Sequence, residues 1–289
     1  MALRFSRFSY FENIVFYRDC NPARGGNGRN RVSTADRLLS VLDLFDLEHP
    51  DWSVEEAAGA LGLATSTAYR YFASLTARGL LAPFGNARYV LGPTVIRYDR
   101  QLRLTDPLIS AADADLQRLA RLEPGRTVAF LCRLLGGQVM CVQQASVGDP
   151  SFAVGYERGR LMPLFAGSAS KIILAHLPPR QLRALYGRQP SAFATAKLGA
   201  SWDEVRSRLR DIREAGYVVS TAEVDPGMRG VSVPLVDPVN SVVASVNVAG
   251  PQKVLDANTV ERLVRGLRKA TASIGEELAL LASSRLARR

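Results

Sequence analysis

The chain has 289 residues, 47% of them hydrophobic and 22% charged, and carries a formal net charge of +10. That length predicts two domains at roughly 100–200 residues each, and the composition is ordinary for soluble globular proteins. No apolar run reaches the roughly 18 residues of a membrane helix, and no signal-peptide pattern opens the chain, which excludes membrane partners and predicts a cytoplasmic protein.

Residues 1–30 end in the loop-rich stretch Asn21-Pro-Ala-Arg-Gly-Gly-Asn-Gly-Arg-Asn30 and are expected to form a flexible basic arm. Three helices follow. Ser33-Thr-Ala-Asp36 has the form of a helix start, and Ala35, Leu38, Leu39, Leu42 and Phe45 recur at helical spacing up to the break at His49-Pro-Asp51. Ser53-Val-Glu-Glu56 is a capping box, in which serine and glutamate satisfy each other's amides. Val54, Ala57, Ala58 and Leu61 give this short second helix an apolar face, and Gly62 suits a left-handed end. Thr65 is the expected N-cap of a third helix, with Ala68, Tyr71, Phe72 and Leu75 as its buried stripe and Gly79 as its end. Leu80–Phe84 and Arg88–Leu91 are strand candidates joined by Gly85-Asn-Ala87. Two short helices with a glycine turn, followed by a hairpin, make a winged helix-turn-helix over 31–93.

A linker helix is expected over 94–106, interrupted at Thr105-Asp-Pro107, and a second domain over 107–285. Its strand candidates are Thr127–Leu134, Val139–Ser146, Gly216–Thr221, Val231–Val236 and Val242–Val248. Its helix candidates are Ser168–His176, Pro179–Tyr186, Trp202–Ala215 and Ala257–Ser283. This mixture predicts an α+β domain, an antiparallel sheet with helices packed against it.

The winged helix points to double-stranded DNA. Eight arginines balance eight acidic residues across 31–105, so net charge does not mark the site. The charge is polarised instead: residues 31–56 sum to −5 and residues 57–105 to +5. The front of the third helix offers Thr65, Ser66, Thr67, Tyr69 and Arg70 to the major groove. Arginine forks onto guanine, and hydroxyls reach phosphates or base edges. Arg78, Asn86 and Arg88 are candidates for flanking phosphates, the last two from the wing.

In the second domain, Met162–Leu177 runs from a small-residue loop straight into a helix, whose open amides and dipole suit an anion. Ser168-Ala-Ser-Lys171 fits the Ser-x-x-Lys pattern of acyl enzymes, but the companion Ser-Asp-Asn and Lys-Thr-Gly motifs are missing. Cys20, Cys132 and Cys141 form no Cys-x-x-Cys pair and only His49 and His176 are present, so no metal, no cofactor and no catalytic triad are expected. The cysteines on neighbouring strands read as buried structural thiols, with redox sensing as the alternative.

Several segments together resemble the IclR family of bacterial transcription regulators over about 31–283. They are Thr65–Leu75 with Gly79 and Tyr89-Val-Leu-Gly92, Ala166–Leu177, Gly216–Leu235, and Val246-Asn-Val-Ala-Gly-Pro251. The resemblance implies a winged helix joined by a helix to a GAF-like effector-binding domain. It implies a homodimer or homotetramer acting on palindromic operators as repressor or activator, not an enzyme. It places the effector against Leu164, Ala169, Ser170, Ser220, Met228, Gly230, Asn247 and Ala249. The family usually has glycine where Ser170 stands, and more acidic residues where Ser220-Thr-Ala-Glu223 stands. The function expected is a DNA-binding regulator controlled by a small molecule, a carboxylate or aromatic acid of a catabolic pathway.

Overall fold

The computed structural model describes residues 33–148, 157–237 and 242–286. The expected basic arm and Cys20 lie outside the described residues. The chain divides after Asp106 into two compact units.

In the first unit, α1 (Thr34–Leu39) starts with Ser33 and Asp36 capping each other at 3.1 Å. The single long helix expected here stops early. Leu42–Leu44 winds as a 3-10 turn, a tighter path that turns Val41 and Leu44 into the core and leaves Ala35 and Leu39 exposed. The His49-Pro break hides a strand, β1 (Asp51–Ser53), whose Trp52 indole donates to the Leu44 carbonyl at 2.9 Å.

Helix α2 (Val54–Leu61) carries the predicted capping box: the Glu56 amide donates to Ser53 Oγ at 3.2 Å, and the Ser53 amide donates to Glu56 Oε2 at 2.9 Å. Gly62 closes it in the left-handed region at φ 60°. Ser53→Ala is expected to cost about 1 kcal/mol of first-unit stability, read as a lowered urea midpoint at constant slope.

Helix α3 (Thr65–Ala77) buries Ala68, Tyr71, Phe72 and Leu75, the predicted stripe. Its N-cap is Ala64, not Thr65: Ala64 keeps extended backbone while Thr65 is already helical, so no hydroxyl caps the first turn. At the other end, the Leu80 amide donates to the Leu75 carbonyl at 2.9 Å and the Gly79 amide to Thr76 at 2.9 Å, a Schellman closure through left-handed Gly79.

Strands β2 (Leu81–Phe84) and β3 (Arg88–Leu91) pair antiparallel, and β1 adds to the other edge of β3, giving the order β1-β3-β2. The turn Gly85-Asn86-Ala87 has positive φ throughout. Gly92 sits where any side chain would collide, since a Cβ there would lie 2.2 Å from the Gly79 carbonyl oxygen. The wing therefore folds back onto the end of α3. Helix α4 (Thr94–Thr105) buries none of its residues within the unit.

The second unit begins with α5 (Pro107–Ala120) and is built on a six-stranded antiparallel sheet. Its strands are β4 (Val128–Leu135), β5 (Gln138–Ser146), β6 (Leu161–Met162), β7 (Val218–Thr221), β8 (Met228–Asp237) and β9 (Val242–Pro251), in the order β6-β5-β4-β9-β8-β7. Between β6 and β7 come α6 (Ser168–Ala175), α7 (Pro179–Arg188), α8 (Pro190–Thr195) and α9 (Trp202–Ala215), and α10 (Ala257–Leu286) ends the unit. The two-residue β6 and the short α8 are elements the sequence did not disclose.

Alternation along the central strands sorts the core into two layers. Ala129, Leu131, Val231, Val233, Val246 and Val248 pack against α5 and α10. Val128, Phe130, Cys132 and Ala249 face the other way, toward α6 and its neighbours. Cys132 and Cys141 oppose each other on β4 and β5, both fully buried; burial, then the neighbouring thiol, pushes the Cys132 pKa well up.

Candidate nucleic-acid interface and effector site

The stripe that buries one side of α3 leaves the other in water. Thr65, Ser66, Tyr69, Arg70, Ala73 and Ser74 are exposed, and Thr67 is half-buried. The spacing of four and one repeats along the helix, so these positions form one continuous face. Because Ala64 offers no capping oxygen, the amides of Thr65 and Ser66 remain open at the tip, where a phosphate oxygen fits the dipole.

Two residues on this surface are held by partners the sequence did not reveal. The Tyr69 hydroxyl donates to Glu55 Oε1 at 2.7 Å, which ties α3 to α2 and raises the phenol pKa. Arg88, expected at a phosphate, is bonded within the unit. Its Nε donates to Asp51 Oδ1, its Nη2 to the Asp51 carbonyl at 3.0 Å, and it pairs with Glu56 Oε2 at 3.1 Å. The bonds to Asp51, then Glu56, raise its pKa. The Ser53 amide, then Arg88, holds the Glu56 carboxyl below the usual range. Arg88 thus pins the wing to β1 and the start of α2. Arg78 at the end of α3 and Asn86 in the wing turn are exposed.

The residues expected around an effector converge in the second unit. Ser220, Gly230, Ala249 and Val128 stand opposite one another across β7, β8, β9 and β4, forming one row. Val218, Ser232, Asn247 and Phe130 form the next. Leu164, Ala169 and Ala249 share one buried cluster with Met228 packed against it, and Ser170 is fully buried beside them on α6.

Polar groups line this otherwise apolar face. The Ser168 amide donates to Ser220 Oγ at 2.9 Å, and Ser232 Oγ donates to Ser168 Oγ at 2.8 Å. A Cβ at Gly230 would lie 2.6 Å from Ser168 Oγ, so a larger residue there would have to displace this hydroxyl. Asn247 is fully buried; its amide nitrogen donates to the Phe130 and Ser245 carbonyls at 3.0 and 2.9 Å, while its Oδ1 has no hydrogen-bond partner among the described residues.

The start of α6 holds a carboxylate, as the sequence suggested, but it is the chain's own. The Gly167 amide donates to Glu223 Oε2 at 3.0 Å, and Lys171 Nζ donates to Glu223 Oε1 at 2.7 Å. Ser168 and Lys171 are therefore engaged with separate partners, and the Ser-x-x-Lys spacing carries no nucleophile–base contact.

Residues 104–276 match the family described as bacterial transcriptional regulator IclR, C-terminal, and residues 34–83 match the IclR helix-turn-helix domain. The chain belongs to the IclR family. Its curated relatives include HTH-type transcriptional regulators and a Pca regulon regulatory protein. One of them, HTH-type transcriptional regulator BhcR of Paracoccus denitrificans, is 27% identical over 228 residues, covering 78% of this chain and 80% of that protein.

Solved IclR structures share the fold. A regulator from Brucella abortus superposes with a TM-score of 0.71 at 21% identity, covering 89% of this chain and 97% of that one. An IclR homologue from Microbacterium hydrocarbonoxydans, complexed with 4-hydroxybenzoate, gives 0.67 at 21%, covering 86% and 100%. Among the described residues no helix is long and apolar enough to cross a membrane.

Proposed function

We propose that this IclR-family chain reads a palindromic operator with the exposed face of α3 and changes its operator affinity when a small carboxylate or aromatic acid binds the second unit. The observation that carries the reading is the division of α3 into a buried stripe and an exposed face bearing Thr65, Ser66, Tyr69 and Arg70. Thr67 supports the first turn, Arg78 and Asn86 hold flanking phosphates, and Arg88 acts by fixing the wing. The effector lies against Leu164, Ala169, Ser170, Ser220, Met228, Gly230, Asn247 and Ala249. That a homologue of the same fold binds 4-hydroxybenzoate supports an aromatic acid.

In this reading 31–93 binds DNA, 94–106 links, 107–285 senses, and the protein works in the cytoplasm on catabolic genes. It does so as a homodimer or homotetramer. Val95, Tyr98 and Leu102 are exposed on α4 at spacings of three and four, the seam of a paired helix, and a second copy covers it. The dimer also supplies the two recognition helices that a palindrome needs. Ligand binding then shifts the population between two placements of those helices.

Gel-shift titration with the DNA upstream of the chain's own gene tests this. Binding is expected to weaken about a hundredfold or more between 50 and 200 mM salt, as phosphate contacts release counterions. A protein that binds small acids but shifts no upstream DNA would replace the regulator reading with a metabolite-binding module.

A further inference from the structure

We infer that Glu223 is a tethered stand-in for the effector's carboxylate, and that the effector acts by taking its place on α6 and Lys171. The inference rests on the effector reading above. Two donors hold the exchange point, the Gly167 amide at 3.0 Å and Lys171 Nζ at 2.7 Å, and both act at the positive end of α6. That is how a protein binds a free carboxylate. Here the carboxylate comes from the segment between β7 and β8, outside the regular strands.

Charge makes the exchange specific. The Lys171 side chain is only 13% exposed, and Glu223 is its ion-pair partner. A mostly buried ammonium stripped of its counter-charge is costly. Glu223 can therefore leave only when another anion arrives, and a neutral guest cannot replace it.

A second observation lies on the same face of the sheet. Asn247 Oδ1 is a fully buried acceptor without a donor among the described residues. Asn247 stands directly opposite Ser232, one strand spacing of about 5 Å away. Ser232 in turn bonds Ser168 at the mouth of α6. An effector carrying a hydroxyl or N–H donor beside its carboxylate would satisfy this acceptor.

The exchange also has a route outward. Glu223 follows Ala222, a non-glycine residue held at φ +54°, with its amide bonded to the Met228 carbonyl at 2.8 Å. Glu223 fastens this turn to α6 by hydrogen bonds, beside the packing of Val224. Displacing it frees the β7–β8 connection, so ligand identity becomes a change in backbone.

Chemical rescue in the full-length protein tests the inference. Glu223→Ala removes the stand-in and leaves Lys171 uncompensated. Acetate at about 100 mM is expected to raise the melting temperature of this variant by about 3–6 °C over a chloride control, by binding only the folded state. Acetamide is expected to do nothing. Wild type is expected not to respond, because its tethered carboxylate competes at high effective concentration. Adding Lys171→Met to the variant is expected to abolish the shift.

Glu223→Gln keeps the side-chain volume and serves if the alanine variant does not fold; acetate is expected to stabilise it as well, by less. Equal responses in wild type and variant, or none in either variant, would overturn the exchange. Operator binding plays no part in this readout, so a failure of the regulator reading shows separately in the gel shift.

Discussion

Phe72→Ala is expected to cost the first unit about 3–5 kcal/mol and to abolish operator binding at room temperature. Phe72 is 1% exposed and meets Tyr89 edge-on with ring centroids 5.0 Å apart, joining α3 to the wing. The core around it is small, made largely of alanine, valine and leucine, and cannot close the cavity. A unit of this size has little stability in reserve. Thermal unfolding checks the prediction: the transition of the first unit should fall by roughly 12 °C or more, while that of the second holds. A first-unit transition that stays in place would remove Phe72 from the centre of this core.

Arg70→Ala is expected to leave the fold intact and erode sequence reading. Arg70 is exposed, on the same face of α3 as Ser66 and Tyr69. A guanidinium fork onto guanine is worth about 1–3 kcal/mol, so operator affinity should fall roughly 5–150-fold while affinity for scrambled DNA changes little. Titrating both duplexes at one salt concentration separates the cases. Equal losses on the two would make Arg70 a phosphate contact, and no loss on either would place it outside the interface. Arg78→Ala is the natural comparison, expected to weaken both alike.

Local chemistry carried most of the fold into view before any coordinates. The Ser53–Glu56 capping box, the Ala68–Leu75 stripe and left-handed Gly62 and Gly79 are written within a few residues of chain, and each formed as read. The errors have one physical source. Thr65 looked like a cap by residue type, but capping depends on which backbone is extended, and that is Ala64. The strand Asp51–Ser53 exists only because β3, far along the chain, is there to pair with it.

The candidate site was legible in residue types and not in their partners. Arg88 reads as a phosphate candidate, and its bonds to Asp51, 37 residues away, are not visible in sequence. The start of α6 was legible as an anion site, but its occupant lies more than 50 residues further on. Cap and stripe signals are local, whereas the partner of a charge is chosen by topology.

The separation of duties along α3 has a consequence for how such a protein changes over generations. Ala68, Tyr71, Phe72 and Leu75 hold the domain together, and Ser66, Arg70, Ala73 and Ser74 are exposed. Mutations at the second set are thermodynamically quiet, so drift can sample new operator sequences without first passing through unfolded intermediates. Tyr69 is the exception, because its hydroxyl is committed to Glu55. Duplicated copies of this gene should therefore diverge fastest at the four quiet positions and change Tyr69 only together with Glu55.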